Sequence, residues 1–165
     1  MMSFDEIRRY LELDSHPEGG AFREVFRSPA KVNHPHREGE NPRPAMTSIY
    51  FLLEPGQFSA FHLVRSDEVW VLLAGGPVEQ HRITPDGTYE CDVLGMDLPA
   101  GQKPQTVVPA NTWQAARPVS EAPYALCGCI VAPGFEFSDF AMPPAEELIQ
   151  QFPQHEQIIT ELTRQ

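Results

Sequence analysis

GQFSAFHLVRSDEVWVLLAG, residues 56–75, places two short apolar runs on either side of Ser66-Asp67 and bounds them with glycines. Residues 59–65 and 68–73 therefore read as two consecutive strands separated by a turn. The stretch holds one histidine, His62, and one glutamate, Glu68. A metal site would ordinarily set a second imidazole close to the first. Val64 stands at that place. The stretch thus poses a chemical question: a metal-enzyme pocket, a metal-free catalytic pocket, or only the shell of one.

The same pattern continues outward in both directions. Residues 21–28, 47–53, 78–84, 88–94, 106–108, 113–116 and 124–131 are further strand-like runs. Glu54-Pro55-Gly56, Gly75-Gly76-Pro77, Pro85-Asp86-Gly87, Pro109-Ala110-Asn111 and Pro133-Gly134 punctuate them. Short strands with turn signals at this spacing, and no helical pattern between them, mean a sandwich or barrel, and eight to ten of them suit a jelly roll. The 17 prolines favour the same architecture. Alternation over residues 21–28 puts Phe22 and Phe26 on one face. Residues 29–44 read as a polar, proline-rich loop in which His34 and His36 are solvated. Ser3 and Glu6 have capping-box spacing ahead of Ile7, Tyr10 and Leu11, which predicts a helix over residues 3–13. Pro143-Pro144 before AEELIQQF, then Pro153 before HEQIITEL, predict two helical pieces at the C-terminus. The expected organisation is mainly β and a single domain over 1–165, with the jelly roll over about 13–141 and a helical tail over about 143–165.

Lys plus Arg is 12 against 23 for Asp plus Glu, a formal charge of −11. That balance argues against nucleic acid or an anionic membrane as partner. MMSFDEIRRYLEL lacks the apolar core of a secretory signal, and no apolar run approaches the roughly 20 residues that span a bilayer. Cys127 and Cys129 sit two apart on a strand, near the upper separation limit for a disulfide. With Cys91 they read as reduced thiols, which places the protein in the cytoplasm.

Two spacings carry a resemblance. One runs from Gly56 through His62, Val64 and Glu68 to Gly75. The other is Pro109-Ala110-Asn111-Thr112-Trp113-Gln114, with Asn111 in place of a glycine and Gln114 in place of a histidine. On these motifs residues 13–141 resemble the cupin superfamily. HPEGGAFRE (16–24), TSIYFLL (47–53), SDEVW (66–70) and VAPGFEF (131–137) make the chain similar to one small cupin branch of unknown function. Leu63, where that branch carries arginine, and the aliphatic residues 71–73 depart from it. The resemblance implies a jelly roll, often dimeric through its sheets. It also implies a likeness in shape to metal-free nucleotide-sugar epimerases and to sugar isomerases.

Full cupin metal sites take three imidazoles and a carboxylate. Here His62, Glu68 and Gln114 are the candidate ligands, with an amide as a weak donor and Val64 unable to bind. No cofactor is expected; a divalent transition metal, if bound, would use those three residues. Without metal, His62 reads as a general base, Glu68 as its orienting carboxylate, and Gln114 as a group that polarises a substrate oxygen. Tyr50 and Trp70 are candidates for a flat apolar wall, and Arg23 for a bidentate grip on a phosphate or carboxylate. The bland alternatives are a satisfied polar pair, aromatic core packing and a surface charge. The function these residues point to is binding of a small polar metabolite, with epimerase or isomerase chemistry on a sugar or nucleotide sugar. The alternatives are a non-catalytic ligand-binding module and a degenerate metal-dependent enzyme. A homodimer is expected, because a sandwich has edges to cover.

Overall fold

The computed structural model describes residues 2–35, 38–119 and 122–164. In chain order the elements are α1 (Phe4–Tyr10), β1 (Asp14–Ser15), β2 (Ala21–Arg27), β3 (Lys31–Val32), β4 (Arg43–Pro44), β5 (Thr47–Leu53), β6 (Ser59–Val64), β7 (Asp67–Gly75), β8 (Val78–Ile83), β9 (Tyr89–Leu94), β10 (Gln105–Val108), β11 (Trp113–Pro118), β12 (Ala125–Ala132), β13 (Phe140–Ala141), α2 (Ala145–Gln151) and α3 (Glu156–Glu161). Two antiparallel sheets result, in the orders β1-β2-β5-β12-β7-β10 and β13-β6-β11-β8-β9, beside a small β3-β4 ribbon. Among the described residues no helix is long and apolar enough to cross a membrane.

The strand period of two directs alternate side chains between the sheets. At one end that interior is hydrocarbon: Phe51, Leu53, Trp70, Val78, Leu94 and Val108 pack with Ala116, Ala125 and Cys127. At the other end the inward positions of the same strands line a hollow: Thr47 and Ile49 on β5, Glu68 on β7, Val131 on β12. The helices are outside. Leu148, Phe152, Ile159 and Leu162 of the tail cover Phe61, Ile83 and Ala115. Phe4 and Ile7 of α1 cover Leu13, Ala21 and Leu52. The capping box at Ser3 and Glu6 is formed, though the helix ends at Tyr10, short of Leu13.

Two expectations are corrected. Residues 29–35 and 38–44 are not an open loop. Lys31 and Val32 pair with Pro44 and Arg43, and Arg43 is buried against Asp139. His34 is buried, with its Nε2 3.0 Å from Ser66 Oγ, rather than solvated; His36 lies outside the described residues. Phe22 and Phe26 do not share a face. The β2–β5 register shifts between Glu24 and Phe26, a bulge that reverses the phase of the strand. Phe22 and Glu24 before the bulge, and Arg27 after it, line the hollow, while Val25 and Phe26 are exposed.

Candidate functional site

His62 on β6 pairs in register with Gln114 on β11, and Glu68 projects from β7 of the facing sheet. Gln114 crosses between them, its amide N–H donating to Glu68 Oε2 at 2.6 Å. A further carboxyl comes from the turn between β1 and β2. His16-Pro17-Glu18-Gly19-Gly20 folds back so that the Glu18 carbonyl accepts from Ala60 N–H at 2.7 Å. Gly19 and Gly20 have φ of +111° and +76°, and a Cβ on Gly19 would strike the Phe58 carbonyl. This docking brings Glu18 Oε2 within 3.0 Å of His62 Nε2. His62 Nδ1 lies 2.8 Å from the Ala60 carbonyl, so it carries the proton and donates to that oxygen. His16 Nδ1 accepts from Glu18 N–H at 3.2 Å. Phe140 stacks on His62 at a centroid distance of 5.5 Å. His16, Glu18, His62, Glu68 and Cys129 line a cavity of about 100 Å³, walled by Phe22, Ile49, Val64, Val131 and Phe140 and rimmed by Glu24, Arg27, Phe135, Glu136 and Phe137.

Burial sets the charge state of this group. It pushes Glu18 up to about 8, the Ser59 hydroxyl and Arg164 only partly opposing it. Burial also raises Glu68 to about 7, against the pull of His62. His16 is lowered to about 3 by burial and then by His62, and burial lowers His62 as well. Near neutral pH Glu18 is therefore largely protonated, both imidazoles are neutral, and Glu68 is about half ionised. These shifts are stability statements with opposite signs. A raised carboxyl stabilises fully below its ordinary 4.5 and loses that contribution as pH rises to about 8 for Glu18. The lowered His16 contributes above its ordinary 6.5 and loses that as pH falls toward about 3. From pH 7 to 8, where an ordinary imidazole is mostly neutral in the unfolded chain too, Glu18 contributes a decline of about 1 kcal/mol. Urea unfolding of Glu18→Gln is expected to remove most of that alkaline decline. Parallel stability curves for wild type and variant would show that Glu18 is not held protonated.

Of the residues singled out in the sequence, His62 and Glu68 line the cavity. Gln114 is buried behind Glu68 rather than on the wall. Trp70 lies in the hydrocarbon core, edge-on to Phe51 at 5.5 Å, beneath the cavity rather than in it. Tyr50 packs on the outer face of its sheet against the α1 cluster. Arg23 is outside as well, its guanidinium 2.5 Å from Glu12. The carboxylate that meets His62 Nε2, at 3.0 Å, is Glu18, where Glu68 was expected. The only sequence signal for it was a His and a Glu two apart in the stretch ahead of paired glycines, which reads equally as a turn.

A family profile described as Cupin superfamily (DUF985) matches residues 5–143. The chain belongs to the cupin superfamily. It is 29% identical over 156 residues to the uncharacterized protein YML079W of Saccharomyces cerevisiae, a match covering 88% of this chain and 77% of the yeast protein. Among solved structures, protein SO0799 from Shewanella oneidensis is similar at a TM-score of 0.90 and 36% identity, over 99% of each chain. A hypothetical protein from Leishmania major is similar at a TM-score of 0.93 and 32% identity, over 99% of this chain and 100% of the other. Oxalate decarboxylase from Bacillus subtilis, at a TM-score of 0.56 and 16% identity over 98% of this chain and 38% of that one, shares the fold alone.

In this cupin, Asn111 takes the place of a motif glycine and adopts the left-handed φ of +63° that such a place requires, a conformation asparagine tolerates. The metal positions are altered more deeply. Val64 presents hydrocarbon, Gln114 turns its N–H to Glu68, and His62 Nε2 already faces Glu18. Among the described residues no three His, Cys, Asp or Glu side chains are grouped so as to hold an ion. The residues present do not fit a cupin metal cage. The three cysteines are free thiols; burial pushes Cys127 up to about 12 and raises Cys129 too, which suits inert core thiols.

Proposed function

We propose that the hollow end of this cupin binds a small polar metabolite and moves a proton at a carbon next to its carbonyl, the step shared by sugar epimerases and isomerases. The observation that carries this reading is the meeting of Glu18 and His62 at 3.0 Å on the wall of a cavity that also holds Glu68. The Glu18–His62 pair acts as one base. In the form with Glu18 ionised, a minority at neutral pH that grows toward pH 8, and with His62 neutral, the pair takes one proton from the substrate C–H and holds it between Oε2 and Nε2. Glu68, near 7 and therefore protonated about half the time at neutral pH, gives its proton to the carbonyl oxygen as the enediol forms. Collapse of the enediol returns a proton to either face of the same carbon, or to its neighbour, and regenerates both carboxyls; no co-reactant is consumed. Gln114 is a positioning residue that orients Glu68. The Ala60 carbonyl fixes the His62 tautomer.

The test is solvent exchange. Free sugars, keto-sugars and nucleotide sugars are incubated with the protein in D2O, and loss of the proton next to the carbonyl is followed by NMR. Protein-dependent exchange that fails in His62→Asn is expected. Saturable binding with no exchange across the panel would sink the catalytic reading and favour a ligand-binding module, in which Glu18 and His62 are simply a satisfied polar pair.

A further inference from the structure

The mouth of the cavity narrows the class of guest. Arg27 is the one guanidinium or ammonium group among the described residues that line it, and it is already engaged. Its Nε and Nη2 each donate to Glu24 at 2.8 Å, its Nη1 to Glu136 at 2.8 Å, and its Nη2 again to the Phe135 carbonyl at 3.1 Å. One cation is thus answered by two carboxylates, and the rim carries a net negative charge. To hold a phosphate, Arg27 would have to abandon Glu24 or Glu136 and leave that carboxylate facing the ligand. Past the rim the chamber holds about 100 Å³. By comparison with engineered cavities that admit benzene, a space of that size takes a head of roughly four to six non-hydrogen atoms. Its walls are aromatic and aliphatic, with imidazole and carboxyl groups at the points where hydroxyl and carbonyl oxygens would be met.

We propose that the site takes an uncharged short-chain hydroxy-carbonyl compound, of the size of a free triose or tetrose, and discriminates against phosphorylated or nucleotide-linked sugars through the Glu24–Arg27–Glu136 rim. This rests on the small-metabolite reading above and specifies its substrate class. A phosphate ester brings two negative charges to a rim that already repels them, and has no free cation to meet.

The experiment compares matched probes: dihydroxyacetone with dihydroxyacetone phosphate, and D-erythrose with D-erythrose 4-phosphate. Binding is read from imidazole signals of the ¹⁵N-histidine-labelled full chain. The free compounds are expected to perturb the His62 and His16 signals saturably, and each ester to bind about tenfold more weakly or worse. The double variant Glu24→Gln/Glu136→Gln is expected to close most of that gap by strengthening ester binding. Esters that bind wild type as tightly as the free compounds would overturn the proposal. So would the absence of free-compound binding at tens of millimolar, or a gap unchanged in the double variant. Deuterium exchange in the same samples separates the two claims: bound free compounds that exchange no proton leave the substrate class standing and remove the catalytic step.

Discussion

His62→Asn is expected to lower protein-dependent proton exchange by roughly 10²- to 10⁴-fold, the usual worth of a positioned general base. Asparagine keeps a polar side chain of moderate size at a fully buried position, so the fold survives where alanine would leave a larger void. The imidazole contributes two things an amide cannot. It shares a proton with Glu18 across 3.0 Å, and it is locked in one tautomer by the Ala60 carbonyl. Wild-type kcat/KM should be bell-shaped in pH. Its acid limb comes from Glu18, which must ionise, its alkaline limb from Glu68, which must keep its proton, and its maximum lies between the values of about 7 for Glu68 and about 8 for Glu18. A variant with wild-type exchange, or a flat profile across that window, would remove His62 and Glu18 from the chemistry.

Arg43→Ala is expected to destabilise the fold by about 3–5 kcal/mol, the range for breaking a buried ion pair. Arg43 Nε and Nη2 grip Asp139 Oδ2 and Oδ1 at 2.7 and 3.0 Å, and Glu40 adds a contact at 3.1 Å. Both members of the main pair are almost wholly buried. The pair fastens β4 to the turn just ahead of Phe140, the ring that stacks on His62. Loss of the guanidinium should therefore loosen the cavity rim as well as the fold. Arg43→Lys keeps the charge without the planar fork and is expected to fall between the two. Urea unfolding measures both variants; a change within about 1 kcal/mol for Arg43→Ala would place this pair with weak surface bridges.

The strands were legible because their apolar runs alternate and their turns are marked by proline and glycine. What escaped lies where geometry departs from period. The bulge at Val25 hides Arg27 from any reading that keeps strict alternation through β2. The short strands β3 and β4 form from polar, proline-bearing sequence and hold the buried Arg43–Asp139 contact, a long-range pairing that strand propensity does not announce. Arg23 and Tyr50 illustrate the opposite case. With Phe22 and Phe51 directed inward, alternation alone directs their neighbours outward, so the sequence held the information against a role for either in the cavity. His62 and Glu68 could be found by motif spacing. Glu18 could not, since its contact with His62 depends on a turn docking 44 positions away in the chain, and turn residues announce conformation rather than partners.

The most direct measurement follows the carboxyl carbons of ¹³C-glutamate-labelled protein by NMR through the pH range, with Glu18 assigned from the signal missing in Glu18→Gln. A midpoint for Glu18 near 8, shifted when His62 becomes asparagine, is the expected result. A midpoint near the ordinary 4.5, indifferent to His62, would mean that this carboxyl and imidazole hold no proton between them.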